Sequence, residues 1–307
     1  MVDETEQFDR RTYLKLTGTA GVTVTGLAGC LEDAGNGNGD ESGNGNGDGG
    51  NGSGNGNGSD NDTDESDGSD GSSDMQIVAG TAPGFEPFEM TRDGELVGFD
   101  IDLLEAVVDE TEYELAEWNE YEFDSLIPAL ENGNIDVIAA AMTITEDRQQ
   151  SIAFTEPYYS ANQSVLVQSG GDFAPEALED LEDREVGAQS GTTGETVVQE
   201  QLIAEGLISD DQYTSYDNYV YAVQELERGL LDAIVIDEPV GATFADNRDV
   251  EVAFTFETGE EYGFGVQQDA DDLEAALSEG IAAVRESGEY DEITQTWFDS
   301  DGTDSEE

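Results

Sequence analysis

The chain contains no histidine, a single cysteine and a single lysine, Lys15, and only 9 basic side chains stand against 74 acidic ones. Without histidine, and with its one cysteine at position 30, the zinc, Cys-His and Ser-His-Asp chemistries have no residues to be built from. A formal net charge of -65 opposes a nucleic-acid partner, because a phosphate backbone would be repelled rather than neutralised. The acids are scattered without EF-hand spacing, so no calcium loop is read from them, and no metal or cofactor is expected. Two explanations compete for so acidic a chain: a disordered tail protein, or a folded protein from a very salty environment. The residues beyond 74 carry 58 acidic and 6 basic side chains together with most of the aromatics and all of the strand and helix patterning. A folded domain of that charge repels itself in dilute buffer. At molar salt the Debye length falls to ~3 Å and the repulsion is screened. The composition is that of a halophile.

Asp9-Arg10-Arg11-Thr12-Tyr13-Leu14-Lys15 is a twin-arginine pattern, followed by a mildly apolar stretch from Leu16 to Gly29. That stretch is too short to span a bilayer and has the character of a signal-peptide core. It ends Leu27-Ala28-Gly29-Cys30, small residues before a cysteine in the manner of a lipobox. The expectation is a signal peptide over 1–29, Tat export, and a lipid on Cys30 that holds the protein at the outer face of the membrane. The alternative is an incidental cysteine in an N-terminal helix. Residues 30–74 are Gly, Asn, Asp and Ser with almost no apolar side chains, and cannot bury enough surface to fold. As a random coil this tether reaches on the order of 35–40 Å.

From Gln76 the pattern alternates between buried strands and amphipathic helices. Gln76–Gly80 is a strand, the segment after Gly98 places apolar groups at helical spacing, Tyr113–Trp118 is a strand, Phe123–Leu130 a helix, and Asp136–Ala140 a buried strand. This βαβαβ rhythm predicts a lobe with a mostly parallel sheet. Gln163–Val167 is a strand crossing to a second lobe with the same rhythm: a strand at Glu185–Ala188, a helix opened by Ser190–Thr196, a strand at Tyr213–Tyr216, a helix over Tyr219–Leu230, and a buried strand at Ala233–Ile236 ending at Asp237. Tyr262–Val266 carries the chain back, and Leu273–Arg285 and Tyr290–Phe298 close it as helices. The fold class is α/β, with two lobes, two crossing segments and a cleft between them.

The stretch from Ala139 to Arg148 marks the cleft. A strand end feeding a helix start is where open α/β sheets place ligands. Thr143, Thr145, free backbone N–H groups and the Arg148 guanidinium form a combination that binds a carboxylate in a bidentate way. The competing reading of Arg148 is a surface arginine paired with one of the many acids.

Taken in order, Phe85-Glu86-Pro87-Phe88-Glu89, Gly98-Phe99-Asp100-Ile101-Asp102-Leu103, Leu126–Leu130, Met142-Thr143-Ile144-Thr145-Glu146-Asp147-Arg148, Phe154-Thr155-Glu156-Pro157-Tyr158-Tyr159, Gly191-Thr192-Thr193-Gly194-Glu195, Asp232–Asp237 and Tyr290-Asp291-Glu292-Ile293 resemble one family. Residues 75 to about 299 resemble the extracellular solute-binding proteins, family 3, of polar amino-acid ABC transporters, here of haloarchaeal type. The resemblance implies a periplasmic-binding-protein-like fold of type II, a Venus flytrap, with lobe 1 over 75–163 and again over 261–299, lobe 2 over 164–260, and an acidic tail over 300–307. It implies a monomeric receptor that captures a free amino acid in the cleft and presents it to an ABC permease.

The resemblance also implies roles. Arg148 clamps the ligand α-carboxylate, helped by Thr143 and by backbone donors near Ala141; Thr193 adds donors from the opposite wall; Asp237 accepts the α-ammonium; Phe85 and Phe123 sandwich the side chain; Gln189 touches it. Structural alternatives stand beside each: Asp237 as a helix cap, Thr193 as a helix cap, Phe123 as core, Phe85 as a loop plug. Tyr158 and Tyr159 are read as structural support. Ala82 stands where family members that bind basic amino acids often carry an acid, so a neutral polar or small ligand is expected. Ala141 replaces a more usual glycine. The rival class on the same scaffold is a cyclohexadienyl dehydratase-like enzyme, for which Glu195 and Glu238 are the only acid candidates; a sensor ectodomain is the other alternative.

Overall fold

The computed structural model describes residues 75–298. The twin-arginine segment, Cys30, the tether and the acidic tail lie outside the described residues.

Lobe 1 begins with β1 (Gln76–Thr81), a loop to Glu89, and a two-stranded hairpin of β2 (Met90–Arg92) and β3 (Glu95–Val97). Helix α1 (Phe99–Asp109) follows and buries Phe99, Ile101, Leu103, Leu104, Val107 and Val108, while Asp102, Glu105 and Ala106 keep part of their surface exposed. Strand β4 (Glu114–Glu120), helix α2 (Leu126–Glu131), β5 (Val137–Ile138) and β6 (Ile152–Phe154) complete the outward half. The sheet order is β4-β1-β5-β12-β6. Strands β4, β1 and β5 are parallel, but β12 (Gly265–Gln267) enters antiparallel between β5 and β6. The expectation of a mostly parallel sheet holds for only half of the pairings. The reason is topological: β12 arrives from lobe 2 along a strand rather than over a crossover helix, so it enters in the reverse direction.

Lobe 2 is a second five-stranded sheet of order β11-β7-β10-β8-β9. It comprises β7 (Tyr159–Gln168), β8 (Val186–Gln189), β9 (Tyr213–Tyr216), β10 (Ala233–Asp237) and β11 (Val250–Tyr262). Strands β10, β8 and β9 are parallel, and β7 and β11 run antiparallel on one side. Strand β10 is buried along its whole length, as its unbroken Ala233-Ile234-Val235-Ile236 run requires. Helices α3 (Thr193–Val197), α4 (Tyr219–Glu227) and α5 (Glu238–Asn247) connect the strands. Helix α5 and β11 before Tyr262 go beyond the elements expected from sequence, although Val250, Val252, Phe254 and Phe256 recur with period two along β11.

The two crossings are β7 and β11, which pair with each other from Tyr159–Tyr262 to Gln168–Val250. Aromatic rings lock the point where they leave lobe 1. Phe88 meets Phe99, Tyr159, Tyr262 and Phe298 edge-on with ring centroids 5.1–5.8 Å apart. Such pairs contribute about 0.5–1.5 kcal/mol each beyond their buried area. Helices α6 (Asp271–Ser287) and α7 (Glu289–Phe298) close lobe 1 against α1. A side chain at Gly280 of α6 would meet the Val107 carbonyl of α1 at 2.7 Å, so glycine sets that close approach. Among the described residues no helix is long and apolar enough to cross a membrane.

Candidate ligand-binding cleft

The cleft is built where the C-terminal ends of β5 and β10 face each other. Beyond β5 the chain passes through buried Ala139 and Ala140 and turns at Ala141, whose φ of 45° lies in the left-handed region. The turn sends the Ala141 N–H to Asp100 Oδ2, 2.6 Å away, and the same oxygen accepts the Tyr158 hydroxyl at 2.6 Å. The chain then reaches a short turn at Arg148–Gln150, held by the Thr145 hydroxyl, which accepts the Arg148 N–H at 3.2 Å. From there the Arg148 guanidinium lies 5.4 Å from the centroid of the Phe123 ring. Nη1 donates to the Thr143 carbonyl at 2.6 Å and Nη2 to the Gly191 carbonyl of lobe 2 at 3.0 Å.

Among the described residues no carboxylate lies within ion-pair distance of Arg148, which removes the surface-ion-pair reading. The residue keeps part of its surface exposed, yet desolvation of the guanidinium is the largest influence on it and pulls its pKa down; the charges of Asp237 and Glu260 act against that. A cation desolvated in a cleft with only carbonyls as partners is disposed to take an anion.

The lobe 2 wall is the Gly191-Thr192-Thr193-Gly194 turn. Thr192 caps α3, its hydroxyl accepting the Glu195 N–H, so Thr193 is free of the capping role. Thr193 Oγ1 instead lies 3.0 Å from Thr143 Oγ1 across the cleft. Thr143 donates its single hydroxyl proton to Glu260 Oε2 at 2.8 Å and therefore accepts from Thr193. The Glu195 carboxylate braces the turn from outside by accepting from Gly191 N–H, Tyr213 and Ser215; it is no free acid, and Glu238 is exposed. Further contacts join the lobes: Ser190 to Asp124, Asn218 to the Pro83 carbonyl, and the Phe85 ring 5.8 Å from that of Tyr219.

Asp237 ends β10 and immediately precedes α5, but its side chain makes no capping bond. It points into the protein, where Oδ1 accepts the Tyr262 hydroxyl at 2.6 Å. Burial, then the charge of Glu260, push its carboxyl up to about 7, against the stabilising bonds from Tyr262 and Gln163. Glu260, near the end of strand β11, is 5 % exposed and accepts from Gln163, Thr258 and Thr143. Asp100 is fully buried and likewise pushed up to about 7 by desolvation, with the Ala141 and Tyr158 bonds acting the other way.

The cleft thus brings together Phe123, Thr143, Arg148, Thr193 and Asp237 among the residues singled out from sequence. Phe85 is 6 % exposed and lies between Phe88 and Tyr219, joining both lobes. Gln189 is 2 % exposed, and its side-chain carbonyl accepts the Tyr219 N–H. The Ala141 N–H is engaged by Asp100. Three participants have no counterpart in the sequence reading. Tyr262 and Glu260 come from the end of β11, and Asp100 from the first turn of α1. Their signal is weak because acids are everywhere in this chain and only burial separates these from the rest. Among the described residues no group of three or more acids, Cys or His is placed to hold a metal.

Comparison with known proteins agrees with this geometry. Residues 77–300 match the family model of bacterial extracellular solute-binding proteins, family 3. The chain is 32% identical over 232 residues to a probable histidine-binding protein of Campylobacter jejuni, covering 75% of this chain and 87% of that protein. It is 33% identical over 239 residues to the histidine-binding periplasmic protein of Escherichia coli K12, covering 74% and 89%. Among solved structures it resembles an ancestral arginine-binding protein bound to arginine (TM-score 0.68, 34% identity, 73% of this chain and 98% of that one). It also resembles the arginine-, lysine-, histidine-binding protein ArtJ of Geobacillus stearothermophilus (TM-score 0.67, 31% identity, 74% and 97%). These relatives are binding proteins, not enzymes, and the ancestral precursor of cyclohexadienyl dehydratase that also matches is itself an amino acid-binding protein. A matched segment of this length, on a two-lobed fold with an arginine and an aspartate facing each other across its cleft, places the chain in the bacterial extracellular solute-binding proteins of family 3.

Proposed function

We propose that this protein is the substrate-binding component of an amino-acid ABC importer, taking a free α-amino acid between its lobes and presenting it to a membrane permease. The observation that carries the reading is Arg148, a desolvated guanidinium with no carboxylate partner among the described residues, set across the cleft from the buried carboxyl of Asp237. An amino acid is a zwitterion. Its α-carboxylate replaces the carbonyls now held by the Arg148 fork, and its α-ammonium supplies Asp237 with the positive charge that burial denies it. Phe123 beneath the guanidinium and Phe85 beside Tyr219 shield both pairs from water and strengthen them. Because Arg148 belongs to lobe 1 while Thr193 and Asp237 belong to lobe 2, a ligand touching all three favours the closed arrangement over the open one.

The same reading extends to the cell surface: export as a folded protein through the twin-arginine segment, a lipid on Cys30, a tether over 30–74, and a monomer working at high salt. Its support is the order of these features in the sequence and the charge of -65. Within the amino-acid class, Ala82 in the first loop favours a neutral polar or small ligand, whereas the buried acids behind that loop favour a charged one.

The test is a thermal-shift screen of the purified chain against the standard amino acids in ~3 M KCl, with Arg148→Ala alongside. A ligand at 100 times its Kd adds about 2.7 kcal/mol of stability. Stabilisation of the wild type but not of the variant is expected. No shift with any amino acid would end the amino-acid reading.

A further inference from the structure

Two neighbouring residues at the start of α4 reach across the cleft to the first loop of lobe 1. Asn218 is the N-cap of the helix: its side-chain Oδ1 accepts the Val220 N–H at 2.7 Å. The other end of the same amide, Nδ2, donates to the Pro83 carbonyl of lobe 1 at 2.8 Å. Only this orientation serves both partners, since the flipped amide would set N–H against N–H and carbonyl against carbonyl. The next residue, Tyr219, is fully buried, with its N–H on Gln189 Oε1 and its hydroxyl on the Val235 carbonyl. Its ring lies 5.8 Å from that of Phe85. Lobe 2 thus presents a pair of side chains held rigidly from behind.

The lobe 1 loop is shaped to meet them. The Glu89 carbonyl accepts the N–H groups of both Gly84 and Phe85, which fixes the loop from within. Gly84 stands at φ 117°, and a side chain there would lie 2.7 Å from Asn218 Cγ and overlap its amide nitrogen. Glycine both allows that backbone angle and leaves the space that Asn218 fills.

This bond differs from the others that join the lobes. The Arg148–Gly191 and Thr143–Thr193 bonds join groups that the ligand itself engages, so a bound amino acid takes their place. The Ser190–Asp124 bond is exposed, and water competes for it. The Asn218–Pro83 bond is partly buried, and both ends of its amide are spent within the protein. A bond made only when the lobes meet stabilises the closed state alone, and the closed state is the one a ligand must reach and must leave.

We propose that Asn218 is a positioning residue that clasps the closed receptor and slows ligand release without touching the ligand, using one end of its amide to cap α4 and the other to hold lobe 1. The inference rests on the amino-acid-receptor reading above and adds to it a part of closure that the ligand does not supply.

The test compares Asn218→Ser and Asn218→Asp with the wild type, each as the full chain at high salt. Serine and aspartate cap helices about as well as asparagine. Serine is too short to reach Pro83, and aspartate has no N–H and turns a carboxylate toward the carbonyl. The probe is whichever standard L-amino acid raises the wild-type melting temperature most, and stopped-flow fluorescence gives its association and dissociation rates. Affinity is expected to fall about threefold to tenfold in Asn218→Ser and about 20-fold or more in Asn218→Asp. The loss should lie in faster dissociation, with association nearly unchanged. Melting temperatures without ligand should stay within about 3 °C of the wild type, because the cap is kept. Unchanged dissociation in either variant, or a loss carried by slower association, overturns the proposal and leaves the receptor reading intact. A variant that melts well below the wild type without ligand shows that Asn218 serves the fold, which also overturns it. A wild type that binds no amino acid overturns both readings.

Discussion

Asp237→Asn separates what the cleft does for binding from what it costs the fold. The Asp237 carboxyl is raised from 3.8 to about 7 by burial and by Glu260. A carboxyl raised in the folded state binds its proton more tightly there than in the unfolded chain. Its contribution is therefore fully present below pH 3.8 and is lost as pH rises through about 7. Taking 1.36 kcal/mol per pKa unit, the loss between pH 5 and pH 8 is of order 2–3 kcal/mol from this one group. Asparagine keeps an oxygen for the Tyr262 hydroxyl but carries no charge, so the variant escapes the loss. At pH 8 and high salt, without ligand, it is expected to melt roughly 5–10 °C above the wild type. At pH 5 the two should differ much less. Amino-acid binding should weaken by about 100-fold or more in the same variant, since the ammonium loses its charged partner. Calorimetric melts at pH 5, 6, 7 and 8 give the difference curve; subtraction removes Asp100, whose raised carboxyl titrates with the same sign, while Glu89, raised in part by the charge of Asp237, is relieved in the variant and adds to the difference in the same direction. A variant less stable than the wild type at pH 8, or a difference that does not change with pH, would refute the reasoning.

Two further substitutions probe the walls of the site. Ala141→Gly relieves a side chain held at φ 45° while keeping the N–H bond to Asp100, and is expected to raise stability by about 0.5–1 kcal/mol in denaturant melts. Gly194→Ala forces a methyl group to within 2.6 Å of the Tyr219 hydroxyl oxygen and 2.7 Å of the Val235 carbonyl oxygen; a loss of about 2–3 kcal/mol is expected, with weakened ligand binding because Thr193 shifts with it.

The α/β class, the alternation of strands and helices and the crossing strand β7 follow from hydrophobic period and turn residues, which are local; most of β11, the other crossing, does not. Ala233–Ile236 has only one comfortable place, the interior of a sheet, and β10 lies there. Arg148 was legible for a related reason: in a chain with six arginines beyond residue 74, one that follows a buried strand and two threonines is conspicuous. The direction of β12 and the identity of the working acids were not legible, because they depend on where distant segments meet. Asp100 is written as an ordinary acid in the first turn of a helix, yet it is wholly buried and holds the Ala141 turn and Tyr158. Glu260 and Glu89 are two acids among 74. Only the tertiary structure separates the few that are buried in the cleft and its walls from the many in water, and the difference is desolvation, which raises the cost of a charge at one position and leaves it nearly free at the next.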